Sequence, residues 1–144
     1  MRLRSFILIF VLGLTIPLFG ITPASATTTA EGRALRLLNY AREQRGLRRL
    51  VRTDTLDAYA ERQAERMRAA GELFHSNLSK VPKPWLFVGE NVGYAGSVRR
   101  LHRGLMRSPS HRENILRPRF DHVGIGIVRT ASGRVYEAQV FVDR

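Results

Sequence analysis

The sequence predicts an α+β domain. Two amphipathic helices early in the chain and a β-hairpin at its end carry that prediction, because helices and antiparallel strands must bury their apolar faces against each other. A length of 144 residues gives room for one such domain and not two. Hydrophobic residues make up 44%, which suits a packed core and excludes a disordered tail. The chain has no cysteine, so disulfide scaffolds, zinc fingers and thiol nucleophiles are excluded.

Residues 1–26 read as an export signal. Arg2 and Arg4 precede an unbroken small or apolar run from Phe6 to Leu14. Pro17, Gly20 and Pro23 interrupt it too early for a membrane helix, which needs about 20 apolar residues. Ala24-Ser25-Ala26 has the small-x-small form of a cleavage site, so cleavage after Ala26 and secretion are expected. The remaining domain, 27–144, has no transmembrane segment.

The elements follow in order. Thr28 and Glu31 form an expected capping box for a first helix, with Ala34, Leu35, Leu38 and Ala41 at helical spacing and Gly46 as its stop. Asp54 and Asp57 open a second helix whose apolar face is Leu56, Tyr59, Ala60, Gln63, Ala64 and Met67, ending at Gly71. Pro82 and Pro84 mark a loop, Phe87 to Tyr94 a short strand, and Ser97 the cap of a helix to Met106. Ser108-Pro109-Ser110 turns into a helical segment at His111 to Leu116. Val123, Ile125 and Ile127 alternate with Gly124 and Gly126 in one hairpin strand. Thr130 to Gly133 makes the turn, and Val135 to Val142 is the second strand. Tyr136, Ala138, Val140 and Val142 share a face, and the two strand glycines leave room for a helix to approach.

Charge narrows the partners. The formal net charge is +12, or +10 once Arg2 and Arg4 are removed, which favours anionic surfaces such as lipid or envelope polymer. The arginines are spread along the chain with no aromatic ladder between them, so dedicated nucleic-acid binding is not expected. No Gly-x-Ser-x-Gly elbow, His-Glu-x-x-His or phosphate loop is present. The candidates for chemistry are therefore His75, His102, His111 and His122, with Glu90 between His75 and His111 in its Gly-Glu-Asn setting. Two neutral imidazoles and a carboxylate can hold a divalent cation such as Zn²⁺, but the intervals from His75 to Glu90 to His111 carry no metal signature. Taken alone, each histidine reads first as a surface or hydrogen-bonded residue, and Glu90 as a plain surface carboxylate.

The ordered motifs resemble a known family. Leu38-Asn39, Arg42 and Gly46, then Leu50, Asp54 and Leu56, followed by Met67, Gly71 and Phe74-His75-Ser76, look like the first half of the CAP superfamily (cysteine-rich secretory proteins, antigen 5, pathogenesis-related proteins). Gly89-Glu90-Asn91-Val92, Ser108-Pro109-Ser110-His111-Arg112-Glu113-Asn114-Ile115-Leu116, Phe120, Val123 to Gly126, Tyr136, Gln139 and Phe141 resemble the rest, in its short bacterial form. The resemblance implies an α-β-α sandwich with a small antiparallel sheet flanked by helices, and a cleft with two histidines and two acids. By position these are His75, His111 and Glu90, with Asn91 beside them. Ser108 stands where the second acid falls, and nothing matched makes Glu113 a replacement.

The resemblance leaves three functions open. One is a secreted module binding a divalent cation, peptide or other polar ligand through His75, Glu90, His111, Ser108 and Asn91, with His75 and His111 as metal ligands. Another is a metal-assisted hydrolase with Glu90 as base. The last is a non-catalytic envelope interaction or stress protein.

Overall fold

The computed structural model describes residues 29–144. The expected signal peptide and Thr28 lie outside the described residues. Helix α1 spans Ala30–Glu43, and its cap is Thr29, whose hydroxyl accepts the Gly32 N–H at 3.0 Å. The cap thus stands one residue later than expected. A short strand β1, Val51–Arg52, precedes helix α2, Asp54–Ala70. That helix ends on Gly71 at φ +72°, the left-handed geometry that glycine adopts without a Cβ penalty. A 3-10 turn at Leu78–Lys80 leads through the proline loop to strand β2, Val88–Ala95. Helix α3 runs Val98–Arg107 behind its Ser97 cap, and α4 runs Pro109–Leu116, two residues longer at its start than expected. Strands β3, His122–Arg129, and β4, Val135–Val142, form the hairpin.

The sheet holds one surprise. Its order is β1-β3-β4-β2, with β2, β4 and β3 antiparallel as expected. The edge strand β1 pairs parallel to β3, so the sheet is mixed. Two residues carry no periodicity, and β1 is extended because other parts of the chain hold it. Buried Asn39 clamps Leu50 on both backbone groups, donating to its carbonyl at 3.1 Å and accepting its N–H at 2.7 Å. The Val51 N–H then donates to Asp121 O at 2.9 Å.

Alternation along the strands sorts the two layers. Tyr136, Ala138, Val140 and Val142 pack with Leu56, Ala60, Met67 and Val92 under α2. Val123, Ile125, Val135 and Phe141 pack on the other side with Leu38, Leu101, Leu105 and Ile115 of α1, α3 and α4. The result is an α-β-α sandwich whose central strand β4 is buried throughout.

Helix α2 lies close enough to β3 that no side chain fits between them. A Cβ on Gly124 would collide with the Leu56 backbone, and one on Gly126 with the backbone of Ala60 and Glu61. Gly126→Ala is therefore expected to cost about 3 kcal/mol or more, since neither backbone can move without unpacking a layer. Gly104→Ala, inside α3 with open space around it, should instead stabilise by about 0.5–1 kcal/mol. Urea unfolding of the two variants checks the contrast; equal effects would mean that the α2–β3 approach is slack.

Candidate functional site

Strand β2 is the sheet edge opposite β1, so loops from both helical layers meet there. Glu90 and Asn91 are neighbours on this strand and point to opposite layers. Glu90 faces the end of α2, and Asn91 faces α4.

The Glu90 side chain is fully buried, while that of His75 is 60% exposed. Glu90 Oε1 accepts the Ser76 N–H at 2.8 Å and lies 2.8 Å from His75 Nδ1. Its Oε2 is buried and has no hydrogen-bond partner among the described residues. The carboxylate thus sits behind the imidazole. Accepting a proton from Nδ1, it fixes the tautomer that leaves the Nε2 lone pair of His75 free.

Asn91 does different work. Its Nδ2 donates to His111 O at 3.0 Å and to Gln139 Oε1 at 3.2 Å, and its Oδ1 accepts from Asn114 Nδ2 at 3.0 Å. Asn114 also donates to Glu90 O at 3.2 Å, which pins α4 to the sheet edge. These bonds place His111 at the mouth of the site. Its Nδ1 lies 2.8 Å from Ser108 Oγ, a hydroxyl that can donate or accept, so Ser108 holds the second ring in place. Burial, with help from the charge on nearby His75, pushes the His111 pKa below its ordinary 6.5. The ring is therefore neutral at pH 7, the state a metal ligand requires.

The structure thus brings His75 and Glu90 into contact and sets His111, Ser108 and Asn91 beside them. Glu90 is turned toward His75 and the Ser76 N–H, which it engages through Oε1. Among the described residues no three His, Cys, Asp or Glu side chains are grouped to hold a metal ion. Glu90 and Ser108 hold the Nδ1 atoms of His75 and His111 respectively. Glu113 pairs with Arg117 on the surface of α4 and takes no part. His122 pairs with Asp121, and His102 is half-buried on α3. Asn114 and Gln139 hold the site together although the sequence pointed to no role for either. Both stand among the motif residues that carry the family resemblance, Asn114 three residues after His111 and Gln139 two residues after Glu137 in β4.

Comparison with known proteins agrees with this architecture. Residues 35–142 match the CAP family, described as the cysteine-rich secretory protein family. The uncharacterized protein YkwD of Bacillus subtilis is 25% identical over 118 residues, covering 75% of this chain. This chain spans about half of that relative's length, the matched share being 46%. An outer surface protein of Borrelia burgdorferi superposes with a TM-score of 0.74 at 18% identity, covering 82% of this chain and 95% of its own. NaASP2, solved with Zn²⁺, superposes with a TM-score of 0.64 at 10% identity, covering 83% of this chain and 82% of its own.

Proposed function

The chain belongs to the CAP family, and we propose that it is an extracellular binding module whose cleft at the β2 edge takes a divalent cation through His75 and His111. The observation that carries this reading is the shared logic of the two rings. Each has Nδ1 held by the protein, by Glu90 in one case and Ser108 in the other, and where Nδ1 carries the proton Nε2 is the nitrogen open to a cation. A bound cation would supply a Lewis-acidic anchor for a carboxylate or other polar group of a ligand.

Location outside the cytoplasm rests on the signal-like residues 1–26 and on the similarity to an outer surface protein. No helix among the described residues is long and apolar enough to cross a membrane. The Zn²⁺ in the NaASP2 structure supports the choice of cation for a first trial.

Two protein ligands make a weaker site than the four of a structural zinc centre, so the fold should survive chelation. Calorimetric titration of untagged Thr27–Arg144 with Zn²⁺ at pH 7.5 should show one site, weakened at pH 5.5 as protons compete with the cation for the imidazole nitrogens. His111→Ala should abolish it, and Glu90→Ala should weaken it roughly 10–100-fold by releasing His75. Binding that ignores pH, or that persists unchanged in His111→Ala, would show that the histidines serve the fold and not a metal.

A further inference from the structure

The segment between the 3-10 turn and β2 ends in three consecutive large apolar residues, Trp85, Leu86 and Phe87. Leu86 is 78% exposed and Phe87 44%. Exposed Tyr40, Val51 and Tyr94 stand singly, as is ordinary for a surface, and Leu73–Phe74 leads directly into the His75 site. The Trp85–Phe87 tip belongs to no site described above.

Several of its donors are already paired from within. The Trp85 indole N–H donates to Val81 O at 3.0 Å. The Leu86 and Phe87 N–H groups both donate to Asp143 Oδ1, at 2.8 and 2.6 Å. Asp143 Oδ2 in turn takes Arg119 Nε at 2.8 Å, so the carboxylate is neutralised at its own base. An apolar tip with paired donors can leave water without stranding a hydrogen bond.

Cations collar the tip. Lys83 Nζ stands 3.3 Å over the Trp85 ring and the Arg119 guanidinium 3.3 Å over Phe87. Lys80 precedes the loop, and Arg144 lies beyond Asp143, across a groove of about 300 Å³ walled by Pro84, Trp85 and Leu86. Trp85 is partly buried against the core under α2, so Leu86 and Phe87 are the projecting side chains. Apolar groups ringed by ammonium and guanidinium groups complement an anionic bilayer, with acyl chains next to phosphates. Tryptophan favours that boundary because its ring is both apolar and polarisable.

We propose that the Trp85-Leu86-Phe87 tip docks the protein on an anionic phospholipid bilayer, entering the headgroup–acyl boundary while Lys80, Lys83, Arg119 and Arg144 meet lipid phosphates. The docking is independent of the histidine site. It gives a basic exported chain a defined orientation on a membrane where charge alone would give only loose adhesion.

Trp85 is the only tryptophan in the sequence, so its fluorescence reports on this loop and nothing else. Untagged Thr27–Arg144, which contains the whole described fold, is titrated with vesicles of phosphatidylglycerol and phosphatidylcholine, and with phosphatidylcholine alone. The expected result is a blue shift and quenching by brominated acyl chains with the anionic vesicles, weakening as salt rises. Leu86→Ser with Phe87→Ser should lower partitioning roughly tenfold or more, and Lys83→Gln should lower it only on anionic vesicles. Leu86→Ser alone alters a side chain that is mostly in water, so an unchanged thermal midpoint separates docking from folding. Binding without a blue shift or quenching, equal binding to neutral vesicles, or full binding by the double variant would overturn the proposal. Retention on soluble anionic polymer with unchanged emission would assign the charge to wall adhesion instead.

Discussion

Replacing Arg42 with methionine is expected to destabilise the domain by about 3–5 kcal/mol, the scale of removing one partner from a buried charged network. Arg42 is wholly buried on α1, yet among the described residues no carboxylate pairs with it directly. Its fork is filled by backbone carbonyls. Nε donates to Arg48 O at 2.7 Å, Nη1 to Ile115 O at 2.9 Å and Arg117 O at 3.0 Å, and Nη2 to Phe120 O at 2.8 Å. Two of those carbonyls belong to the end of α4 and its exit, where helix carbonyls lack partners of their own. Burial and the charge of Arg48 push the Arg42 pKa down, with Asp121 opposing, but a guanidinium keeps its proton at any working pH.

Methionine fills much of the same volume and supplies no donors, so the four carbonyls lose the guanidinium together, and Arg117 O keeps only the Phe120 N–H at 3.3 Å. Arg42→Lys keeps the charge on a single ammonium and should recover only part of the loss, because one nitrogen cannot reach four carbonyls set around a planar fork. Because Arg42 ties α1 to the end of the helix that carries His111, the methionine variant should also lose Zn²⁺ affinity. Chemical denaturation of the three proteins measures the first effect. A loss below about 1 kcal/mol would mean that water replaces the guanidinium at these carbonyls.

The same residue shows where sequence patterning ends. Helices α1 and α2 and the β3–β4 hairpin were legible because burial repeats at 3.6 and 2 residues, and the Gly124–Gly126 spacing correctly announced a close helix. Strand β1 was not, since its two residues are extended only by Asn39 and Asp121 holding their backbone. The position of Arg42 was visible, but not that it reaches residues more than 70 positions away. His75, Glu90 and His111 emerged as a set only through family resemblance, because their spacing follows no helix or strand period. The β2–β4 register, which sets Asn91 opposite Gln139, is what converts isolated amides into a network, and no local pattern encodes that pairing.

That network ends in a carboxyl group with a measurable signature. Glu137 is buried on β4, with Oε1 accepting from Gln139 Nε2 at 2.6 Å and Oε2 lacking a partner. Burial drives its pKa up from 4.5 to about 7, against the Gln139 hydrogen bond, with Glu31 of α1 adding to the rise. The unfolded chain loses this proton near pH 4.5 while the folded one holds it to about pH 7. Between those values the folded state binds more protons, so the contribution of Glu137 to stability is complete below pH 4.5 and is lost as pH rises through 7. At about 1.4 kcal/mol per unit, the loss amounts to about 3 kcal/mol. Glu137→Gln keeps the shape and removes the charge. It should therefore match the parent protein below about pH 4.5 and exceed it by about 3 kcal/mol at about pH 8. His102 and His111, whose pKa values burial pushes down from 6.5, bend both curves the opposite way and cancel in the difference. Urea midpoints across about pH 4.5–8 give that difference directly, and a constant gap would mean that the Glu137 carboxylate finds water or a donor inside the fold.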